Sequence, residues 1–320
     1  MSAEIGFALL THREPRQVAR LVDRLRRLYG PAVPIVIHHD QSQVPLDRAA
    51  VPGAELIEPS RRTGWADWSV TAATLDVLRH LHGGPAAPAF TVLLSGADYP
   101  VAPPARVVTD LRAGGADAYL IAYPVSPWRR DVVVPGPLGL GVNVGASHQE
   151  ICYRRYYSTT LRLGPLHHRI RSPLLAPLLS PFSRRLRAFA GEQWCVLGRR
   201  AVQALLESAL RRPDLLRWFA ERPAADEAYV HTVLGNAPGL RLAPRNFRHV
   251  DWSTRSSHPR TLGIGDVPGL AASGAHFARK FEPDDPALDA LDAHLGLPRW
   301  EPEPADLAAE ADLRQPASAG

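Results

Sequence analysis

The chain is poor in sulfur, with two cysteines and one methionine in 320 residues. Cys152 and Cys195 make neither a framework nor a Cys-x-x-Cys pair, which excludes a disulfide scaffold and a zinc ribbon. No stretch approaches the roughly 20 apolar residues that span a bilayer. The opening Met1–His12 lacks the basic region and long apolar run of a signal peptide. A reducing, cytoplasmic setting without a membrane span is the expectation. No Gly-x-Gly-x-x-Gly turn follows the first predicted strand, which disfavours a dinucleotide fold. Nowhere are two aspartates spaced i, i+2.

What is present is ordinary for a globular protein: 45% hydrophobic and 22% charged residues, with a net charge of +5. The arginines are spread over most of the chain, so the excess is read as an aid to solubility, and no nucleic-acid partner is expected. The 31 prolines mark turns and one irregular middle region.

Ile5–Leu10 reads as a buried strand, and Pro15 then opens a helix whose apolar stripe is Val18, Leu21, Val22, Leu25 and Leu28, ended by Gly30-Pro31. A second strand, Pro34–His38, stops at His39-Asp40. Strand, helix, strand opens a parallel α/β sheet. Glu55–Glu58 reads as a strand, and Ala72, Leu75, Leu78 and Leu81 share a helix face. Phe90–Leu94 is a strand ending in a turn that places Asp98 at the carboxyl edge of the sheet, where ligands of such folds bind. Ala118–Ala122 reads as another strand. Order is lost over Tyr123–Arg187. It returns as a strand at Gln193–Leu197, a helix through Val202 and Leu206, and a helix opening at Pro223–Glu227. A strand at Phe247–Trp252 and a helix at Asp284–Leu295 follow. Residues 1–298 read as one domain with an irregular acceptor or lid insertion at 123–190, and 299–320 as a flexible tail.

In Ser273–Phe281, Arg279 and Lys280 stand between Phe277 and Phe281, with Arg260 upstream after a Ser-Ser-His-Pro turn. Such cations suit a diphosphate leaving group, where they replace a metal ion; a solvated pair at a strand end is the plainer reading. Glu227 reads as a general base, or as an acid whose anion is stabilised by the free amides of a helix start. Asp40 suits hydrogen bonds to a base or ribose, or simply a turn. Trp65 suits stacking on a ring, or the core beside Trp68. The aromatics and arginines of Tyr123–Arg187 suit an acceptor, a lid, or a surface insertion.

Several segments occur in a characteristic order: Phe7–Gln17, Ile35–Asp40, Thr63-Gly64-Trp65 with Ser69, Leu93–Pro100, Gln193-Trp194, Asp226-Glu227 with His231–Leu234, His249–Trp252 and Phe277–Phe281. In this the chain resembles the core-2/I-branching N-acetylglucosaminyltransferase and peptide O-xylosyltransferase family over roughly Ile5 to Leu295. The resemblance implies a glycosyltransferase A fold, a mixed and mostly parallel central sheet flanked by helices. It also implies a UDP-sugar donor, inversion at the anomeric carbon, and no metal or other cofactor. By matching positions, Glu227 resembles the catalytic base, and Arg279, Lys280 and Arg260 resemble diphosphate ligands. Leu10, Thr11, His12, Asp40, Thr63, Gly64 and Trp65 resemble the nucleoside pocket, and Gln193 with Trp194 a donor-site pair. Gln193 stands where xylosyltransferases carry an acid.

Animal members are Golgi membrane proteins rich in cysteine, so this chain resembles a soluble, bacterial-like member. The expected partners are a UDP-sugar, with GlcNAc or xylose transferred, and a hydroxyl-bearing acceptor that is a glycan, lipid-linked or a small molecule. A non-catalytic nucleotide-sugar binder or a polyanion binder is the alternative.

Overall fold

The computed structural model describes residues 3–126, 132–135, 141–144, 146–163, 166–170, 180–183, 185–254 and 258–301. Residues 302–320 of the predicted tail, 255–257 of the predicted turn and parts of the 123–190 insertion lie outside the described residues. The chain divides into two compact units. One comprises Met1–Thr63, Asp76–Gly115 and Phe247–Gly320, and the other Gly64–Leu75 and Ala116–Asn246. The sequence reading takes 1–298 as one domain.

In the first unit four parallel strands lie in the order Phe90–Ser95, Ile5–Thr11, Ile35–His39, Glu55–Leu56. Successive strands of the four are joined by a helix or loop that returns the chain to the same edge, as parallel pairing requires. The helix Pro15–Tyr29 starts on a proline whose fixed φ suits the first turn, and it buries Val18, Leu21, Val22 and Leu25. Besides Ala19, its other buried positions are the polar Gln17, Arg20 and Arg24. Arg20 donates to Tyr99 Oη at 3.0 Å and to Asp292 at 2.7 Å, which ties the helix Pro286–His294 to this unit.

A second, three-stranded sheet joins Arg248–Val250 parallel to Phe277–Arg279, and that strand antiparallel to Asp98–Pro100. The sequence reading makes Ser95–Pro100 a turn only. Its second half is instead an edge strand, because Asp98–Pro100 finds backbone partners in Phe277–Arg279, more than 170 positions away in the sequence. The helix Pro104–Gly114 is a further element that periodicity does not reveal, since only Val107 and Leu111 of it are buried.

The second unit is mixed. Ala118–Tyr119 pairs antiparallel with Val196–Gly198 and parallel with Leu242–Ala243, and Ala122–Pro124 pairs antiparallel with Phe189–Gly191. The predicted strand Ala118–Ala122 is thus two short strands with different partners. The predicted strand Gln193–Leu197 begins only at Val196, leaving Gln193 and Trp194 in the approach to it. Within the insertion, Val132–Pro135 pairs with Gly141–Val144 and Thr159–Leu163 with Leu166–Ile170, both antiparallel, on either side of the helix Ala146–Tyr156. Helices at Arg199–Arg211 and Pro213–Ala220 precede the segment that carries Glu227.

Candidate active site

In the first unit the predicted nucleoside residues gather where the parallel strands end. Leu10 and Thr11 stand opposite His38 and His39 in register, and the Asp40 N–H donates to the Thr11 carbonyl at 2.9 Å. His39 is buried between two partners. Its Nε2 faces the Val44 carbonyl at 2.6 Å and so carries the proton, which leaves Nδ1 to accept from the Thr11 hydroxyl at 2.8 Å. Burial lowers the pKa of His39, favouring this neutral tautomer. His12 is exposed just past the strand end, its pKa also lowered by partial desolvation and by Arg13.

Asp40 is enclosed, and both of its oxygens are engaged. Oδ1 accepts from the Ser42 N–H at 3.0 Å and the Ser42 hydroxyl at 2.6 Å. Oδ2 accepts from the Thr63 N–H at 2.7 Å, the Thr63 hydroxyl at 3.0 Å and the Gln43 amide at 2.9 Å. Burial alone would raise its pKa. These donors outweigh it and hold the carboxyl well below the usual range. Asp40 takes the turn-forming role of the sequence reading: both of its oxygens are engaged in fixing the loop that carries Thr63.

The cations of this unit come together around backbone pairing. Leu262 N–H donates to the Lys280 carbonyl at 2.9 Å, which sets the Arg260–Leu262 segment beside Arg279 and Lys280. Arg260 is clasped by two carboxylates: Nε donates to Asp251 at 2.6 Å and Nη2 to Asp266 at 2.7 Å. Its hydrogen bonds to Asp266, then to Asp251, raise its pKa further. The sequence reading offers Arg260 as a diphosphate cation; together with Asp251 and Asp266 it forms a group of three whose charges sum to one negative. Asp98 is fully buried: it accepts from Arg248 Nη1 at 2.6 Å and lies 3.9 Å from Arg279 Nε. Its carboxylate anchors the buried Arg248 and forms a longer ion pair with the partly exposed Arg279.

In the second unit, Gly64, Trp65 and Glu227 are linked through one backbone bond. The Ala224 N–H donates to the Ala66 carbonyl at 2.7 Å. The Gly64 N–H is bonded to Ser69 Oγ at 3.0 Å, and Asp67 accepts from the Ser69 N–H at 2.8 Å at the start of the helix Trp68–His82. Trp65 is 82% exposed, whereas Trp68 packs edge-on against Tyr229 at 5.3 Å. Of the two neighbouring tryptophans, Trp68 is the half-buried one.

Glu227 ends a short 3₁₀ turn, Ala225–Glu227, and Ala228 (φ −141°) interrupts the chain before the helix Tyr229–Gly235 begins. This corrects the expectation of a helix-start acid stabilised as an anion. The Glu227 side chain is only half-buried, at 47% exposure. Partial desolvation pushes its carboxyl up to about 7, the neighbouring Asp226 and Glu192 add to the rise, and Arg155 opposes it. Arg155 Nη1 donates to Glu227 Oε2 at 3.3 Å. A carboxylate tuned to neutrality has the property a general base needs.

Gln193 is half-buried and Trp194 buried. Sequence reasoning missed their neighbour Glu192. Its backbone carbonyl accepts from His231 Nε2 at 2.9 Å and its carboxylate from Asn246 at 2.9 Å. Gly191 gave a signal for this spot. A Cβ there would lie 1.8 Å from the Ile121 carbonyl oxygen and 2.6 Å from the His231 ring, so only glycine lets these segments meet.

Residues 146–269 match the core-2/I-branching enzyme family model. That span holds Gln193-Trp194, Asp226-Glu227, His231–Leu234, His249–Trp252 and Arg260. Two Arabidopsis thaliana proteins, the β-glucuronosyltransferases GlcAT14A and GlcAT14B, are 32% and 31% identical to the chain over 113 residues, 34% of its length. The chain spans about a quarter of those relatives (25% and 26%). Among solved structures, the WbbM bifunctional glycosyltransferase aligns with 97% of this chain and 52% of its own at 10% identity and a TM-score of 0.44. Among the described residues, no helix is long and apolar enough to cross a membrane.

Proposed function

We propose that the chain is an inverting glycosyltransferase that moves a sugar from a UDP-sugar to an acceptor hydroxyl. The observation that carries this reading is Glu227. Lying within the span that matches the family, it has a carboxyl raised to about 7, poised to take a proton from a hydroxyl. As the acceptor oxygen attacks the anomeric carbon, the bond from that carbon to the diphosphate breaks, and the departing UDP carries the negative charge. Arg279, Lys280 and Arg260 meet that charge in place of a divalent ion. Asp40, by holding Thr63, shapes the nucleoside pocket together with Leu10, Thr11 and His12. Gln193 and Trp194 serve the donor sugar, and Gly64 and Trp65 keep the nucleoside role that the resemblance gives them.

GlcNAc and xylose remain the favoured sugars, and the names of the two plant relatives add glucuronic acid to the set to be tried. UDP release from UDP-GlcNAc, UDP-xylose and UDP-glucuronic acid, with and without EDTA, tests the reading. Turnover with one of them that survives the chelator and disappears in Glu227→Gln is the expected result. Loss of turnover on chelation would overturn the role given to the cations, and stabilisation by GDP-sugars alone would overturn the nucleoside assignment.

A further inference from the structure

On the helix Ala146–Tyr156, His148, Cys152 and Arg155 stand at i, i+4 and i+7, which is one face. His148 Nε2 is hydrogen-bonded to the Tyr123 hydroxyl at 2.6 Å and lies 3.5 Å from Cys152 Sγ. One turn further on, Arg155 reaches Glu227 Oε2 at 3.3 Å. The adjacent Tyr156 hydroxyl donates to the Ala224 carbonyl at 2.8 Å. The end of one helix therefore grips a single short loop twice, by its backbone at Ala224 and by its carboxylate at Glu227.

The charges that face Glu227 are unequal. Asp226 adjoins it in the chain, and Glu192 acts on it from the approach to the strand Val196–Gly198. Arg155 is the cation acting on it, and Tyr123, Tyr156 and Cys152 are the uncharged titratable groups coupled to it. Two carboxylates against one guanidinium favour the protonated acid, yet a base must hold its lone pair ready.

We propose that Arg155 is a positioning residue for the Glu227 base, holding its carboxylate ionised and aimed while the acceptor hydroxyl gives up its proton. This rests on the reading of Glu227 as the base. The proton passes from the acceptor oxygen to Glu227, that oxygen bonds to the anomeric carbon, and the diphosphate leaves with the electron pair. Arg155 itself exchanges no proton.

The test is kcat/KM for UDP release against pH in Arg155→Gln, Arg155→Met, Arg155→Lys and Glu227→Gln, with folding followed by circular dichroism. In the neutral variants the acidic limb should move up by about one pH unit, as loss of a charge within 4–6 Å implies. Activity on the alkaline plateau should stay within a few-fold of wild type, and Lys should lie between. A limb left in place, or activity lowered equally at every pH as a purely structural role would give, overturns the proposal. If neither neutral variant folds, the Lys variant decides: a partial rise of the limb supports the assignment and an unchanged limb refutes it. Glu227→Gln separates the two levels. Activity retained there sinks the base itself, whereas an inactive Glu227→Gln beside an unmoved limb sinks only Arg155.

Discussion

The Ala224 N–H and the Ala66 carbonyl meet at 2.7 Å, and both residues hold left-handed backbone, with φ of 53° and 56°. This bond ties the loop of Trp65 to the loop of Glu227. Left-handed conformation costs a non-glycine residue roughly 1–2 kcal/mol, while glycine adds about 0.5–1 kcal/mol of unfolded-state entropy. Ala224→Gly should therefore be neutral or slightly stabilising in a denaturant melt. Ala224→Val, branched at a position that disfavours it, should lower stability and turnover together.

Glu227→Gln should abolish UDP release while making the protein more stable. The folded-state pKa of this group is raised to about 7, above its unfolded value near 4.3. Its protonated form is favoured by the fold, so the stability it contributes is full below the unfolded value and is lost as pH rises through 7. The melting temperature of Glu227→Gln minus that of wild type should grow between pH 5 and pH 7.5. A flat difference would show that the carboxyl is not strained in the folded state.

For Asp40 the sign is reversed, because its carboxyl is held below the usual range. Asp40→Asn keeps the shape but loses charge-assisted bonds worth about 1.5–3 kcal/mol each, so both stability and UDP affinity should fall. The stabilisation exists above the unfolded value near 3.9 and disappears as pH falls through the lower folded one. Urea midpoints of wild type and variant should therefore converge below pH 4.

Arg248 and Asp98 form an ion pair with both side chains at 1% exposure or less, and Arg248 also donates to the Leu93 carbonyl at 2.7 Å. Arg248→Met leaves Asp98 charged with a partner removed, which should destabilise the protein by about 3–5 kcal/mol. Urea unfolding measures this directly. An effect below 1 kcal/mol would mean that Asp98 is satisfied without Arg248.

The first half of the fold was legible in the sequence because its signals are local. The apolar runs at Ile5 and Ile35 and the helical stripe from Val18 to Leu25 each bury one continuous surface. Arg279 beside Lys280 and Glu227 beside Asp226 were legible as candidate residues for the same reason, since adjacency in the chain marks them out. Short elements such as Asp98–Pro100 and Ala122–Pro124 were not, because three residues carry no period and take their conformation from distant partners.

By itself the sequence determined the parallel α/β opening, the candidate acidic and basic side chains, and the order of segments that carries the resemblance. Only the tertiary structure decided what state those side chains are in. It gave Arg260 two carboxylates, placed Asp98 inside a sheet, and set Glu192 and Arg155 to act on Glu227. The physical reason is that charge and protonation depend on through-space neighbours and on exclusion of water, and residues 35 and 72 positions from Glu227 are brought to it only by folding.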